Sequence, residues 1–276
     1  MFPALLLAAL AVPQDAPARP LTVISFNLRF DNPSDPHPWP TRREGVLELM
    51  RTAQVIGTQE GLFHQVRDLE EGLGPGWDWI GLGREGGSRG EFMAIFYDRA
   101  RFQAVAYDHF WLSDTPDVIG SSSWGNQVRR MVTWARLRER DGGQEFYVVN
   151  THFDHRVAES RRKSAELLRA RIADLDTDVP LIVTGDFNAA GDTSEPWKIL
   201  VEESPLEDAW HVAQERHGEV ATAHGWRDPR PGGSRIDWVL VRGVAGVSRA
   251  EALLDKPNGV WPSDHLPIRV TLALPQ

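Results

Sequence analysis

Four short apolar runs, far apart in the chain, each stop at a polar side chain able to bind a cation or move a proton. Residues 23–26 run into Asn27, 55–58 into Gln59-Glu60, 146–149 into Asn150-Thr151-His152, and 181–184 into Gly185-Asp186-Phe187-Asn188. Runs of this length, rich in Val and Ile, read as buried strands. One polar strand end is an ordinary loop start. Four of them, carrying Asn, Glu, His and Asp, point to a fold in which strand ends converge on a site, because strands hold side chains more rigidly than loops do.

The full set of strand-like runs is 21–26, 54–58, 92–97, 131–137, 145–149, 181–184, 236–241 and 268–272. Helical patterns lie between some of them. Thr41 and Glu44 form a capping-box signature ahead of Val46, Leu47 and Met50. Leu62, Val66, Leu69 and Leu73, and then Ala165, Leu168, Ile172 and Leu175, step by three and four, the spacing of one buried helical stripe. No linker or repeat interrupts residues 21–276, so a single α/β domain is expected there. Trp134 and Trp238, inside strand patterns, are assigned to the core.

The chain has no Cys, which excludes disulfides and thiolate metal sites. Any metal must sit on oxygen or imidazole ligands, which favours hard cations or His-bound zinc. Metal-assisted hydrolysis of a phosphate ester needs oxygen ligands for a hard cation, a base for water, and donors for the charge developing on phosphoryl oxygens. Asn27, Glu60, His152, Asp186, Asn188, Asp237, Asp264 and His265 supply those groups, all beside strand ends or in short turns.

At these residues the chain resembles the endonuclease/exonuclease/phosphatase superfamily. Ser25-Phe26-Asn27, Gln59-Glu60, Asn150-Thr151-His152, Gly185-Asp186-Phe187-Asn188, Ser234-Arg235-Ile236-Asp237 and Ser263-Asp264-His265 occur in that order. Each motif alone is weak; the ordered set spans nearly the whole domain. Residues 110–116 and 130–137 are further similar to a bacterial branch of mostly uncharacterised members. The resemblance implies a DNase I-like four-layer αββα sandwich, an α+β single domain, and a Mg²⁺-dependent phosphoester hydrolase, with Mn²⁺ as the alternative ion. It implies that Glu60 is the principal metal ligand with Asn27 beside it, and that Asp264 binds or orients metal. Asp186 then aligns and activates water, Asn188 orients the phosphate or metal, and Asp237 holds His265. His265 stabilises the transition state as imidazolium, and His152 contacts a phosphoryl oxygen or assists the leaving group. Some members carry an acidic residue where this chain has Arg29. A cation there disfavours a second metal and offers a contact for substrate phosphate.

Substrate choice is expected in the rim loops 31–43, 121–130, 223–230 and 258–262, which carry Trp39, Arg42, Trp124, Trp226 and Trp261; Arg129 and His224 are expected nearest the substrate. The net charge of −9 does not favour a grip on long nucleic acid. A small organophosphate or phospholipid headgroup is therefore the first expectation, as monoester or diester, and a secreted nuclease the second. A non-catalytic binding protein on the same scaffold is the rival from another class, but none of the acid and imidazole groups is missing. A carboxyl-ester or peptide hydrolase lacks a nucleophile elbow or a zinc-binding His pair. Residues 1–20 read as a signal peptide, with an apolar run at 5–12 too short to span a membrane. An extracytoplasmic, monomeric enzyme is expected.

Overall fold

The computed structural model describes residues 19–275. In chain order the strands are β1 (Leu21–Asn27), β2 (Val55–Gln59), β3 (Trp77–Ile80), β4 (Ile95–Asp98), β5 (Phe102–Trp111) and β6 (Met131–Glu139). They continue with β7 (Glu145–His152), β8 (Leu181–Asp186), β9 (Glu207–Asp208), β10 (Glu215–His217), β11 (Asp237–Arg242), β12 (Gly246–Ala252) and β13 (Ile268–Ala273). The longer helices are α1 (Trp39–Met50), α2 (Phe63–Leu73) and α3 (Ala158–Ala173). One sheet has the order β10-β12-β13-β1-β2-β4-β3 and the other β5-β6-β7-β8-β11-β9. Within them β1–β2, β7–β8 and β10–β12 pair in parallel, and the remaining pairs are antiparallel.

Three apolar layers define four structural ones. Val23, Val55, Val148, Ile182 and Val239 pack between the sheets. Ile24, Phe26 and Ile56, on the opposite faces of their strands, bury Val46 and Leu47 of α1 and Val66 and Leu69 of α2. Val149, Val183 and Trp238 do the same for Ala165, Leu168 and Ile172 of α3. This is the expected DNase I-like αββα sandwich. Each fully buried Val or Leu contributes roughly 1.5–3 kcal/mol to it.

The strand period of two sends alternate side chains to the same face. The inward row of each central strand therefore grades along its length. It is apolar at one end (Val23, Val55, Val148, Ile182), small or hydrogen-bonding in the middle (Ser25, Gly57, Asn150, Thr184), and carries Asn27, Gln59, His152 and Asp186 at the tip. The middle level fastens the sheets together. Asn150 Nδ2 donates to Thr58 O at 2.8 Å and Ala94 O at 3.0 Å, while its Oδ1 accepts from Gln59 Nε2 at 2.7 Å and Thr184 Oγ1 at 3.1 Å. Gly57 permits that approach: a Cβ there would stand 2.0 Å from Thr184 Oγ1.

Several boundaries differ from the sequence reading. β7 continues past 149 to His152, because Asn150 and Thr151 are buried and hydrogen-bonded between the sheets. Phe92 precedes β4 and forms only isolated bridges with Gly61 and Gly83. Helix α1 starts at Trp39 after Pro38 with no side-chain cap, so Thr41 is an interior residue and the capping box is not used. Leu175 lies beyond the end of α3. Trp238 is buried as expected, but Trp134 is only half-buried on the outer face, edge-on to Tyr147. The apolar run expected to be a leader lies outside the described residues. Among those described, no helix is long and apolar enough to cross a membrane.

Candidate active site

The topology places the six motifs on one rim. β1 and β2 are parallel, so Asn27 and Gln59-Glu60 share an end. β7 and β8 are parallel, and His152 pairs directly with Asp186 in their register. β11 runs against β8, so Asp237, its first residue, stands opposite Asp186. β13 runs against β1, which brings Asp264-His265, just ahead of it, to the same end. The turns after the tips bend sharply. Arg29, Glu60 and Asn188 all have left-handed φ values of 55°, 64° and 48°. For Arg and Glu that conformation is strained by on the order of 1–2 kcal/mol, a feature concentrated at functional sites.

Asn27 links the sheets at the rim. Its amide nitrogen donates to Glu60 Oε1 at 3.0 Å and to Asp186 Oδ2 at 2.9 Å, and its oxygen accepts from Arg29 N. Glu60 Oε2 accepts from Phe30 N at 3.1 Å. Burial alone would raise the Glu60 carboxyl, but His265, the Asn27 amide, the Phe30 N–H and Arg29 outweigh it and hold the group below the usual carboxylate range. Asp186 is different. Burial, and then Asp237, push it up to about 7 despite the neighbouring His265.

His265 Nδ1 faces both Asp237 oxygens, at 3.1 and 3.0 Å, and lies 3.9 Å from Asp186 Oδ2. Burial would lower this imidazole, yet Asp237 and Asp186 raise it well above its ordinary value, so it is cationic. His152 is pushed the opposite way, first by burial and then by Arg130, Arg84 and His265. Its Nε2 lies 3.3 Å from Asp186 Oδ2 and accepts from Asn188 Nδ2 at 3.0 Å; Asn188 also donates to Phe153 O. The site thus holds one charged and one neutral imidazole around a single carboxyl.

Glu60, His152 and Asp186 each offer a ligand atom within 4.8 Å of the others, as do Asp186, Asp237 and His265. Asp264 turns its carboxylate to 3.8 Å from the Arg29 guanidinium, and its Oδ1 is buried without a hydrogen-bond partner.

The expected substrate residues are placed less uniformly. Arg129 donates to Gly120 O at 2.6 Å and does not line the cleft; its neighbour Arg130 does. His224 packs against Trp261 with ring centroids 4.6 Å apart and planes tilted by 49°, its Nδ1 on Arg227 O, one residue beyond the Ala223–His265 bridge. Arg29 lines the cleft as expected, with Asp35 holding it through Nε at 2.8 Å and Nη2 at 3.0 Å. Arg42 is buried and occupied by the carbonyls of Leu28, Arg29 and Pro262, tying the loop after β1 to the loop before His265. Trp39 and Trp261 are buried packing, not rim. Among the cleft residues that the sequence reading did not name as site groups, three are acidic or guanidinium side chains: Arg84, Glu91 and Arg130. His155 also lines the cleft.

A model of the Endonuclease/Exonuclease/phosphatase family matches residues 24–265. An endonuclease/exonuclease/phosphatase family protein from Bacteroides thetaiotaomicron is 33% identical with a TM-score of 0.88, covering 94% of this chain and 99% of its own. The mannosyl-6-phosphatase of the same organism is 33% identical with a TM-score of 0.86, covering 92% of this chain and 100% of its own. Among curated proteins, an uncharacterized protein of Acanthamoeba polyphaga mimivirus is 31% identical over 54% of this chain, which spans 59% of that relative's length.

Proposed function

The chain belongs to the endonuclease/exonuclease/phosphatase family, and on that premise we propose that it is a divalent-metal-dependent phosphoesterase. It hydrolyses a small organophosphate or phospholipid headgroup by in-line attack of water. The observation that carries this reading is the meeting, at one rim of two sheets, of an Asp237-held His265 with Asp186 and Glu60.

The donor set fits a hard divalent cation. Two carboxylates, Glu60 and Asp186, are drawn together on one amide, and the buried Asp264 Oδ1 has no partner. Glu60 would hold the ion with Asp186 beside it, Asn27 fixing both and Asp264 on the flank. Mg²⁺ suits such oxygen ligands, with Mn²⁺ as the alternative. When bound, the ion supplies Lewis-acid neutralisation of phosphoryl oxygens.

The remaining work belongs to the chain. Asp186, raised to about 7, is poised to align a water and take its proton. His265, cationic and oriented through Nδ1 by Asp237, presents Nε2 to the charge that builds on phosphorus-bound oxygen. Asn188 fixes the carboxyl from its other side through its backbone N–H, at 2.9 Å from Asp186 Oδ1, and its side-chain amide orients the neutral His152 beside it. The net charge of −9 and the likeness to the mannosyl-6-phosphatase support a small ester over long nucleic acid.

The test is an assay with Mg²⁺ or Mn²⁺ against a phosphomonoester, a phosphodiester, plasmid DNA, RNA and sphingomyelin. Metal-dependent turnover of a small or lipid ester above the polymers is expected. Turnover of none of them overturns the reading, and a clear preference for a polymer overturns its substrate half.

A further inference from the structure

Part of the cavity wall carries charged groups that no step above uses. Arg84 and Glu91 face each other across a glycine-rich turn. Arg84 N donates to Glu91 O at 2.9 Å, and Arg84 Nη1 meets Glu91 Oε2 at 2.5 Å. Arg130, at the entry to β6, has a side chain only 3% exposed, with Nη1 4.0 Å from the same Glu91 oxygen. All three line the cavity that holds Glu60, His152 and Asp186.

The two guanidinium groups are short of acceptors. Arg130 Nε and Nη1, and Arg84 Nε, are buried without a hydrogen-bond partner among the described residues. Arg130 Nη2 does reach His155 Nδ1 at 3.0 Å, but Arg156 Nε donates to Nε2 of the same ring, also at 3.0 Å. A neutral imidazole accepts at one nitrogen only, so these two contacts compete. Buried polar groups are almost always paired, and unpaired charges are costly. One carboxylate, Glu91, faces both cations, which leaves this wall positive. Two under-bonded guanidinium groups on a small cavity fit a guest that is anionic and rich in oxygen acceptors.

Resting on the phosphoesterase reading, we infer that Arg84 and Arg130, spaced by Glu91, form a clamp for the terminal oxygens of a phosphate dianion, which makes the substrate a phosphomonoester. A monoester presents three terminal oxygens and two charges, enough to meet the guanidinium forks as well as the groups at the strand tips. In a diester one of those oxygens carries a second substituent, and a buried N–H row is left facing a poor acceptor. The cavity volume of about 210 Å³ lies below the roughly 300–1,000 Å³ usual for larger ligands, which suits a compact head. Glu91 is a positioning residue, holding Arg84 against the wall.

The experiment compares p-nitrophenyl phosphate with methyl p-nitrophenyl phosphate under saturating Mg²⁺, alongside calorimetry with inorganic phosphate. Wild type is expected to favour the monoester by at least about tenfold in kcat/KM. Arg130→Gln should lower the monoester value by roughly 10- to 100-fold and shrink the monoester preference, with a parallel loss of phosphate affinity. Arg84→Gln should act in the same direction and keeps the test open should thermal unfolding show that the Arg130 variant does not fold. Equal hydrolysis of both esters by wild type overturns the clamp. So does an equal fall of both rates in Arg84→Gln, or unchanged phosphate affinity in the folded variants. Hydrolysis of neither ester by wild type instead overturns the phosphoesterase reading, and the phosphate calorimetry then judges the clamp alone.

Discussion

His265 and Asp186 are buried beside each other, and both hold a proton more tightly than they would in solution. Removing either should cost most of the turnover. Asp186→Asn and His265→Ala are each expected to lower kcat by about 10²–10⁴-fold, with circular dichroism unchanged; wild-type rates in both would void the assigned roles. Asp237 acts through His265. Its carboxylate keeps the imidazole protonated, so Asp237→Asn should move the alkaline limb of the kcat/KM profile to lower pH by about one unit or more. The sign for stability follows from linkage. A raised imidazole value means that the pair stabilises the fold fully below the unfolded value of about 6.5, and that this is lost as pH rises through the folded value. The variant should therefore lose melting temperature relative to wild type at pH 6 and lose less of it in strongly alkaline buffer. The residues of this group were legible in sequence because each follows an apolar run or sits in a short motif. Arg84 and Glu91 were not, because they meet across a turn whose pairing is set by glycine conformations rather than by hydrophobic period. Arg29 was legible as a cation near the site, but Asp35, its actual partner, comes from a loop without pattern.

The strands carry the same logic at the next scale. Alternation made the inner and outer faces of β1, β2, β7 and β8 readable, and their polar ends marked where they stop being core. What alternation hides is that polar residues also continue a strand when the facing sheet satisfies them. Asn150 is the instance: it looked like a strand end and is instead the bolt between the sheets. Asn150→Ala should remove the four hydrogen bonds that this side chain makes to Thr58 O, Ala94 O, Gln59 Nε2 and Thr184 Oγ1 and lower stability by roughly 2–3 kcal/mol, read as a shift in denaturant midpoint. Gly57→Val should be worse tolerated than the same change at an exposed glycine such as Gly246, because its side chain would enter the space of Thr184 Oγ1. A neutral result for both would mean that the sheets are held by their apolar layer alone. Helix α1 shows the other limit of local reading. Pro38 and Pro40 set its start, ahead of the Thr41 signature that resembled a cap.

At the scale of the whole molecule, two sheets contribute half a site each. Glu60 and Asn27 come from one sheet, and Asp186, His152 and Asp237 from the other. A divalent ion shared between them should stabilise the native sandwich. At Mg²⁺ a hundredfold above its dissociation constant, binding adds about 2.7 kcal/mol, or a rise of roughly 5–10 °C in melting temperature for a domain of this size. Glu60→Gln should abolish most of that rise while leaving the metal-free melting temperature little changed. The layered architecture was recoverable from sequence only through the ordered motifs, since periodicity distinguishes strands from helices but not which sheet a strand joins. The most direct measurement follows hydrolysis of a small phosphate ester by chelator-treated protein as Mg²⁺ is added back, in wild type and in Glu60→Gln. Activity absent without metal, restored by Mg²⁺ in wild type and not in the variant, is the expected result. Equal turnover with and without chelator, or full restoration in Glu60→Gln, would contradict a metal cradle built jointly by the two sheets.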